Sequence, residues 1–200
     1  MTKVVVLFVE GETEVEFYKA LVTNLRKMNG DYFACCIEYK NMRGVGNYRK
    51  DALKRLNDIK KKYSNSEIFV FLCYDTDVFE FSKKPPVNMK EVKKDLLNNG
   101  AKKVEFIKAS KSIEDWFLLD FEGVLKHLRL PKQTPREHGV GQEVLKKLFK
   151  KSNRIYSKGK KTEGFIECLD IDKIKKQICP YIGPLCKQIG VNCKNVCDKK

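Results

Sequence analysis

The chain opens on Val4-Val5-Val6-Leu7-Phe8-Val9, apolar without interruption. A Val-rich run of that kind predicts a strand of a parallel sheet, buried on both faces. Glu10-Gly11 closes it, and Phe17, Tyr18, Ala20, Leu21 and Leu25 then recur at helical spacing. Thr13 and Glu16 have the spacing of a capping box at the start of that helix, and Asn29-Gly30 should end it. Residues 32–38 predict a second strand, and Asp51 caps a helix whose apolar face carries Ala52, Leu53, Leu56 and Ile59. Residues 68–73 form the next buried strand, residues 88–99 a helix stopped by Gly100, and residues 103–108 a shorter strand. Ser112 and Asp115 then cap a helix that carries Trp116 into the core. This alternation predicts an α/β fold, a mostly parallel sheet with helices on both faces.

Acids fall at the carboxyl ends of the strands, where open α/β sheets bind their ligands. Glu10 ends the first strand and Glu14 lies in the first turn of the next helix. Tyr74-Asp75-Thr76-Asp77 ends the strand of residues 68–73, and a spacing of two puts Asp75 and Asp77 on one side of extended chain. Glu114 and Asp115 repeat the placement at a further strand-to-helix junction, where an acidic first turn also complements the helix dipole. Like charges gathered this way repel unless a cation lies between them, which points to a hard divalent ion, Mg²⁺ or Mn²⁺.

Charge adds a second element. Lys and Arg outnumber Asp and Glu by 41 to 26, a formal charge of +15, so the chain is drawn to polyanions, nucleic acid first among them. The basic, glycine-containing stretch of residues 41–50 offers Arg43, Arg49 and Lys50 to a phosphate backbone, and it lacks the ending of a Walker loop. Lys158, Lys160 and Lys161 form an exposed basic loop of the same use. No apolar run approaches the roughly 20 residues that span a bilayer, and no signal peptide precedes the first strand, so a cytoplasmic location is expected. The two histidines, His127 and His138, fall in a Pro-containing linker, away from any candidate nucleophile.

Beyond residue 125 the composition changes. Residues 1–125 read as the catalytic domain and residues 126–200 as a basic, Cys-containing helical extension. Residues 142–151 form an amphipathic helix, and residues 171–200 hold two short helical patterns broken by Pro180, Gly183, Pro184 and Gly190. Cys179, Cys186, Cys193 and Cys197 recur at the spacing of a helix face, which ranks them as small buried hydrophobes, then zinc ligands, then disulfides.

Glu10-Gly11-Glu12-Thr13-Glu14 after a buried strand, Asp75-x-Asp77 after the next, and Ser110 to Asp115 before a Trp-Leu-rich helix resemble the three motifs of TOPRIM domains, in their order. The resemblance covers roughly residues 3–121 and is nearest to OLD-family nucleases and small stand-alone phage-defence TOPRIM proteins. It implies a Rossmann-like (TOPRIM) sheet and a Mg²⁺-dependent nuclease, a phosphodiesterase cutting DNA or RNA. Glu10 would serve as ligand or general base, and Glu14, Asp75, Asp77 and either Glu114 or Asp115 would hold metal. Asp115 is the preferred register, and Lys111 would stabilise charge. The ATPase domain usual in OLD proteins is missing from these 200 residues. The resemblance therefore implies a separate ATPase partner, leaves a homo-oligomer open, and has as its alternative a non-catalytic nucleic-acid or partner-binding module.

Overall fold

The computed structural model describes residues 2–30, 32–81, 85–158, 160, 162 and 164–191, with the side chain of residue 81 excepted. Four strands, β1 (Lys3–Val9), β2 (Cys36–Asn41), β3 (Glu67–Asp75) and β4 (Lys103–Ala109), pair in parallel in the order β2-β1-β3-β4. The helices are α1 (Glu12–Met28), α2 (Tyr48–Lys62), α3 (Asp77–Phe81), α4 (Met89–Asn98), α5 (Ile113–Phe117), α6 (Phe121–Leu128), α7 (Gly141–Lys151) and α8 (Ile171–Ile189).

Alternation along β1 explains its uninterrupted apolar sequence. Val5, Leu7 and Val9 face a core shared with α1, α5, α6, α7 and α8, whereas Val4, Val6 and Phe8 face α2 and α4. All six are fully buried, so neither face tolerates a polar residue. From β1 the chain passes to β2 on one side, and it later returns to β3 on the other. The strand order reverses between β1 and β3, and a crevice opens at their carboxyl ends, carrying Glu10 and Asp75.

The second strand lies later than its apolar residues suggest, at Cys36–Asn41 instead of 32–38. As an edge strand it is only half-buried throughout, and its register on β1 decides its bounds, Val4 facing Cys36 and Val9 facing Asn41. Helix α2 begins at Tyr48 with Asn47 at the N-cap, so Asp51 sits inside its first turn and does not cap it. The segment beyond residue 125 does not pack apart from the sheet. Leu145, Leu148 and Phe149 of α7 and Ile174, Ile178 and Ile182 of α8 join the same cluster as Val5 and Leu7.

Helix α8 corrects the two-helix expectation, since it runs unbroken through Pro180 and Pro184. The prolines are one turn apart on its outer side, while Ile174, Ile178, Ile182, Leu185 and Ile189 line the buried one. Each proline costs about 3 kcal/mol in a helix interior, an amount that burying two or three of those side chains offsets. Gly190, left-handed at φ 81°, ends the helix. Cys179 and Cys186 lie buried on α8, and Cys179 is disulfide-bonded, the outcome ranked last from spacing. Cys193 and Cys197 lie outside the described residues.

Candidate active site

Glu10 follows β1 directly, and its Oε1 accepts a hydrogen bond of 3.0 Å from the Asp75 backbone N–H. That bond crosses the β1–β3 crevice and brings the two acids together. Asp75, 3% exposed at the end of β3, accepts at Oδ1 from the Ile113 N–H at 2.8 Å, the first residue of α5. Behind them, Tyr48 Oη lies 2.9 Å from the Phe8 carbonyl and 2.5 Å from that of Cys73, bridging the ends of the same two strands.

The start of α1 differs from the capping-box expectation. Gly11 is its N-cap, in extended backbone, and Thr13 is buried with its hydroxyl donating to the Lys160 carbonyl at 2.5 Å. Thr13 thus fastens the C-terminal loop over the crevice. Glu14, one residue on, is 4% exposed and faces the same interior.

The third junction gives its two acids different partners. Asp115 completes the α5 capping box, Oδ2 accepting from Ser112 N–H and Oγ, and its Oδ1 accepts from the Gly141 N–H at 3.1 Å. Both its oxygens hold backbone. Glu114 is fully buried, accepts at Oε1 from the Tyr156 hydroxyl at 2.9 Å, and contributes to the field felt by Glu10, Glu14 and Asp75.

Lys158 corrects the picture of an exposed basic loop. Its ammonium lies 2.5 Å from Asp75 Oδ2 and 3.9 Å from Asp77 Oδ2, with the side chain 24% exposed. Tyr156, two residues earlier, enters the same cluster through Glu114, so the loop docks by two side chains. Nothing in the sequence of a Lys-rich loop marks Lys158 as turning inward.

Burial sets the electrostatics. It is the main cause that pushes Asp75 up to about 8, with Glu10 and Glu114 adding to it and Lys158 opposing. Burial and then the Glu10 charge push Glu14 up to about 7. Glu10 is raised by burial and by Asp77 and Glu114, against the Asp75 hydrogen bond and Lys158. For Lys158, burial favours the neutral amine, but the fields of Asp75, Glu114 and Asp77 together outweigh it and hold the proton more tightly. Glu14 Oε2 and Glu114 Oε2 are buried without a hydrogen-bond partner. Asp75 Oδ2 also lacks one by geometry, although the ammonium beside it is a close ion-pair partner.

Hard carboxylate oxygens, buried and short of donors, are the chemistry that suits a divalent cation. Among the described residues, however, no group of three or more ligating side chains is drawn together as a formed metal centre. The acids surround an ammonium, which supplies the positive charge that a metal would bring.

The remaining sequence candidates divide. Arg43 and Lys160 line, with Glu10, Glu14 and Lys158, an open cleft of about 920 Å³. Arg43 is left-handed at φ 57°, and the next N–H, of Gly44, donates to the Glu10 carbonyl at 2.8 Å, which anchors this loop to the site. Arg49 instead reaches Glu91 at 3.8 Å, and Lys50 is exposed on α2. Lys111 acts through its backbone, its N–H donating to Thr76 Oγ1 and its carbonyl accepting from Asp77, while its side chain is exposed. Lys161 lies outside the described residues. No described helix is long and apolar enough to cross a membrane.

No family model matches the chain, and no curated protein or solved structure matches it either.

Proposed function

We propose that the protein is a metal-dependent phosphodiesterase of TOPRIM type that cleaves nucleic acid. The observation that carries this reading is the convergence of Glu10, Glu14, Asp75 and Glu114 at the β1–β3 crevice, with buried oxygens lacking donors, beneath a cleft flanked by Arg43 and Lys160. Gathering buried carboxylates around one ammonium destabilises the fold, and such concentrations mark functional sites. Glu10, Asp75, Asp77 and Glu14 or Glu114 would hold Mg²⁺ or Mn²⁺. A bound divalent ion supplies a Lewis acid for a phosphoryl oxygen and a water of lowered pKa.

The chain's own groups do the rest. Arg43 and Lys160 attract the phosphate backbone without reading sequence. Lys158, already poised between Asp75 and Asp77, is placed to pair with a phosphate oxygen when cations relieve the acids. Glu14, holding its proton up to about 7, is suited to exchange one with solvent near neutral pH.

The inward ammonium of Lys158 also favours a second reading, a nucleic-acid-binding module in which that lysine permanently balances the acids and a separate ATPase does the work. One experiment separates the two. Purified protein is incubated with Mg²⁺ or Mn²⁺ and plasmid DNA, single-stranded DNA, tRNA and total RNA, beside Glu10→Gln and Asp75→Asn. The nuclease reading expects metal-dependent cleavage of at least one substrate, abolished in both variants with binding retained. Binding without cleavage, even with a candidate ATPase added, supports the module.

A further inference from the structure

Tyr74 precedes Asp75 on β3 and therefore points to the other face of the sheet. There it meets Phe79 of α3 and Phe106 of β4 edge to face, with ring centroids 5.2 and 5.9 Å apart. These three rings line a cavity of about 550 Å³, together with Lys90 and Lys108. The ammonium groups of Lys93 and Lys108 lie 5.2 and 5.6 Å from the centre of the Phe106 ring. Tyr74 is nearly buried, but Phe79 and Phe106 keep part of their surface open, unlike the fully buried Phe8, Phe17, Phe71 and Phe117.

Thr76 lines this cavity too, and its two chain neighbours, Asp75 and Asp77, are the acids beside Lys158. Cavity and carboxylate cluster are thus two sides of a single turn. We infer that the cavity receives an unpaired nucleobase of the strand whose phosphate reaches the carboxylate site, making single-stranded polynucleotide the substrate class. The inference rests on the phosphodiesterase reading for what happens to that phosphate, but not for the binding itself.

The chemistry selects this occupant. A cavity of that volume falls within the range of small-ligand sites and admits a base with its sugar. Aromatic rings stack on any base, because every base has a π face. The lysines of the lining neutralise the flanking phosphates, which a neutral apolar ligand would not need. A ringless anion would not use the aromatic walls. In a duplex the base is already stacked and paired, so its entry here requires a single strand or a melted end.

The test uses a single-stranded oligonucleotide of about 12 nucleotides carrying 2-aminopurine, and the same sequence as blunt duplex, both without divalent cation. Wild-type protein should bind the single strand more tightly and quench the fluorescent base. Phe106→Leu, which keeps apolar volume but removes the π face, should weaken single-strand binding about five- to hundredfold and leave duplex binding unchanged. Phe79→Leu, on a different element, reads the same cavity if the first variant does not fold. Equal affinity for duplex, or unchanged single-strand binding in a folded variant, overturns the inference. Cleavage is assayed separately with Mg²⁺. Stacking without cleavage leaves the base site standing and removes the nuclease, whereas cleavage indifferent to both phenylalanines does the reverse.

Discussion

Lys158 Nζ stands 2.5 Å from Asp75 Oδ2, joining the segment between α7 and α8 to the last residue of a central strand. Asp75 is 3% exposed, so its charge has little access to water and depends on that ammonium. The pair makes the acid cluster a product of both halves of the chain. Lys158→Met should lower stability by about 1–3 kcal/mol at pH 9, because a buried carboxylate then lacks its partner. The loss should shrink toward pH 6, where Asp75 escapes by taking up a proton. Thermal unfolding at the two pH values measures this, and an equal loss at both would show that Lys158 contributes only packing.

Asp75, moved from 3.8 to about 8, and Glu14, moved from 4.5 to about 7, both bind protons more tightly folded than unfolded. Between those limits the native state carries more protons than the unfolded chain. Stability from these groups is therefore complete below about pH 4 and falls as pH rises to about 8. The Glu10 charge raises both further, and Lys158 opposes it. Mg²⁺ or Mn²⁺ should flatten the decline and release protons on binding, which calorimetry in buffers of different ionisation enthalpy detects. A melting temperature that rises from pH 5 to 8 without metal contradicts the expectation.

Glu114 and Asp115 should separate cleanly when replaced. Asp115→Ala removes a cap and the Gly141 contact, costing about 0.5–2 kcal/mol while sparing metal-dependent activity in the folded protein. Glu114→Gln relieves a buried acid, so its stability should hold or rise while activity is lost. Paired unfolding and cleavage assays decide, and the reverse pattern would return Asp115 to the site.

Gly141 offers a test of how the extension supports the site. A Cβ there would lie 2.5 Å from the Asp115 nitrogen and 2.8 Å from the Glu114 carbonyl carbon. Both are backbone atoms that cannot turn aside. Gly141→Ala should cost about 1–3 kcal/mol and displace α5 with Glu114 upon it. Near-wild-type melting and activity would mean that α7 yields without disturbing the junction.

The sheet was legible because β1 and β3 are buried on both faces and so read as unbroken apolar runs ending in acids. The placement of Glu10 and Asp75 at the crevice followed from that, since position at a strand's carboxyl end is a property of the local sequence. What local sequence did not carry was pairing across the chain. The different partners of Glu114 and Asp115 depend on Tyr156 and Gly141, and the inward turn of Lys158 on acids far from it. The bounds of β2 depend on its register with β1. Helix α8 survives two prolines through burial against a core that periodicity alone does not reveal.

The hydroxyl of Tyr48, lying between the carbonyls of Phe8 and Cys73, has a mechanical consequence. One hydroxyl oxygen within reach of both carbonyls ties the ends of β1 and β3 to a single point on α2. Glu10 and Asp75 are each two residues beyond the carbonyls it touches. The spacing of those acids is therefore held by α2 as well as by the sheet.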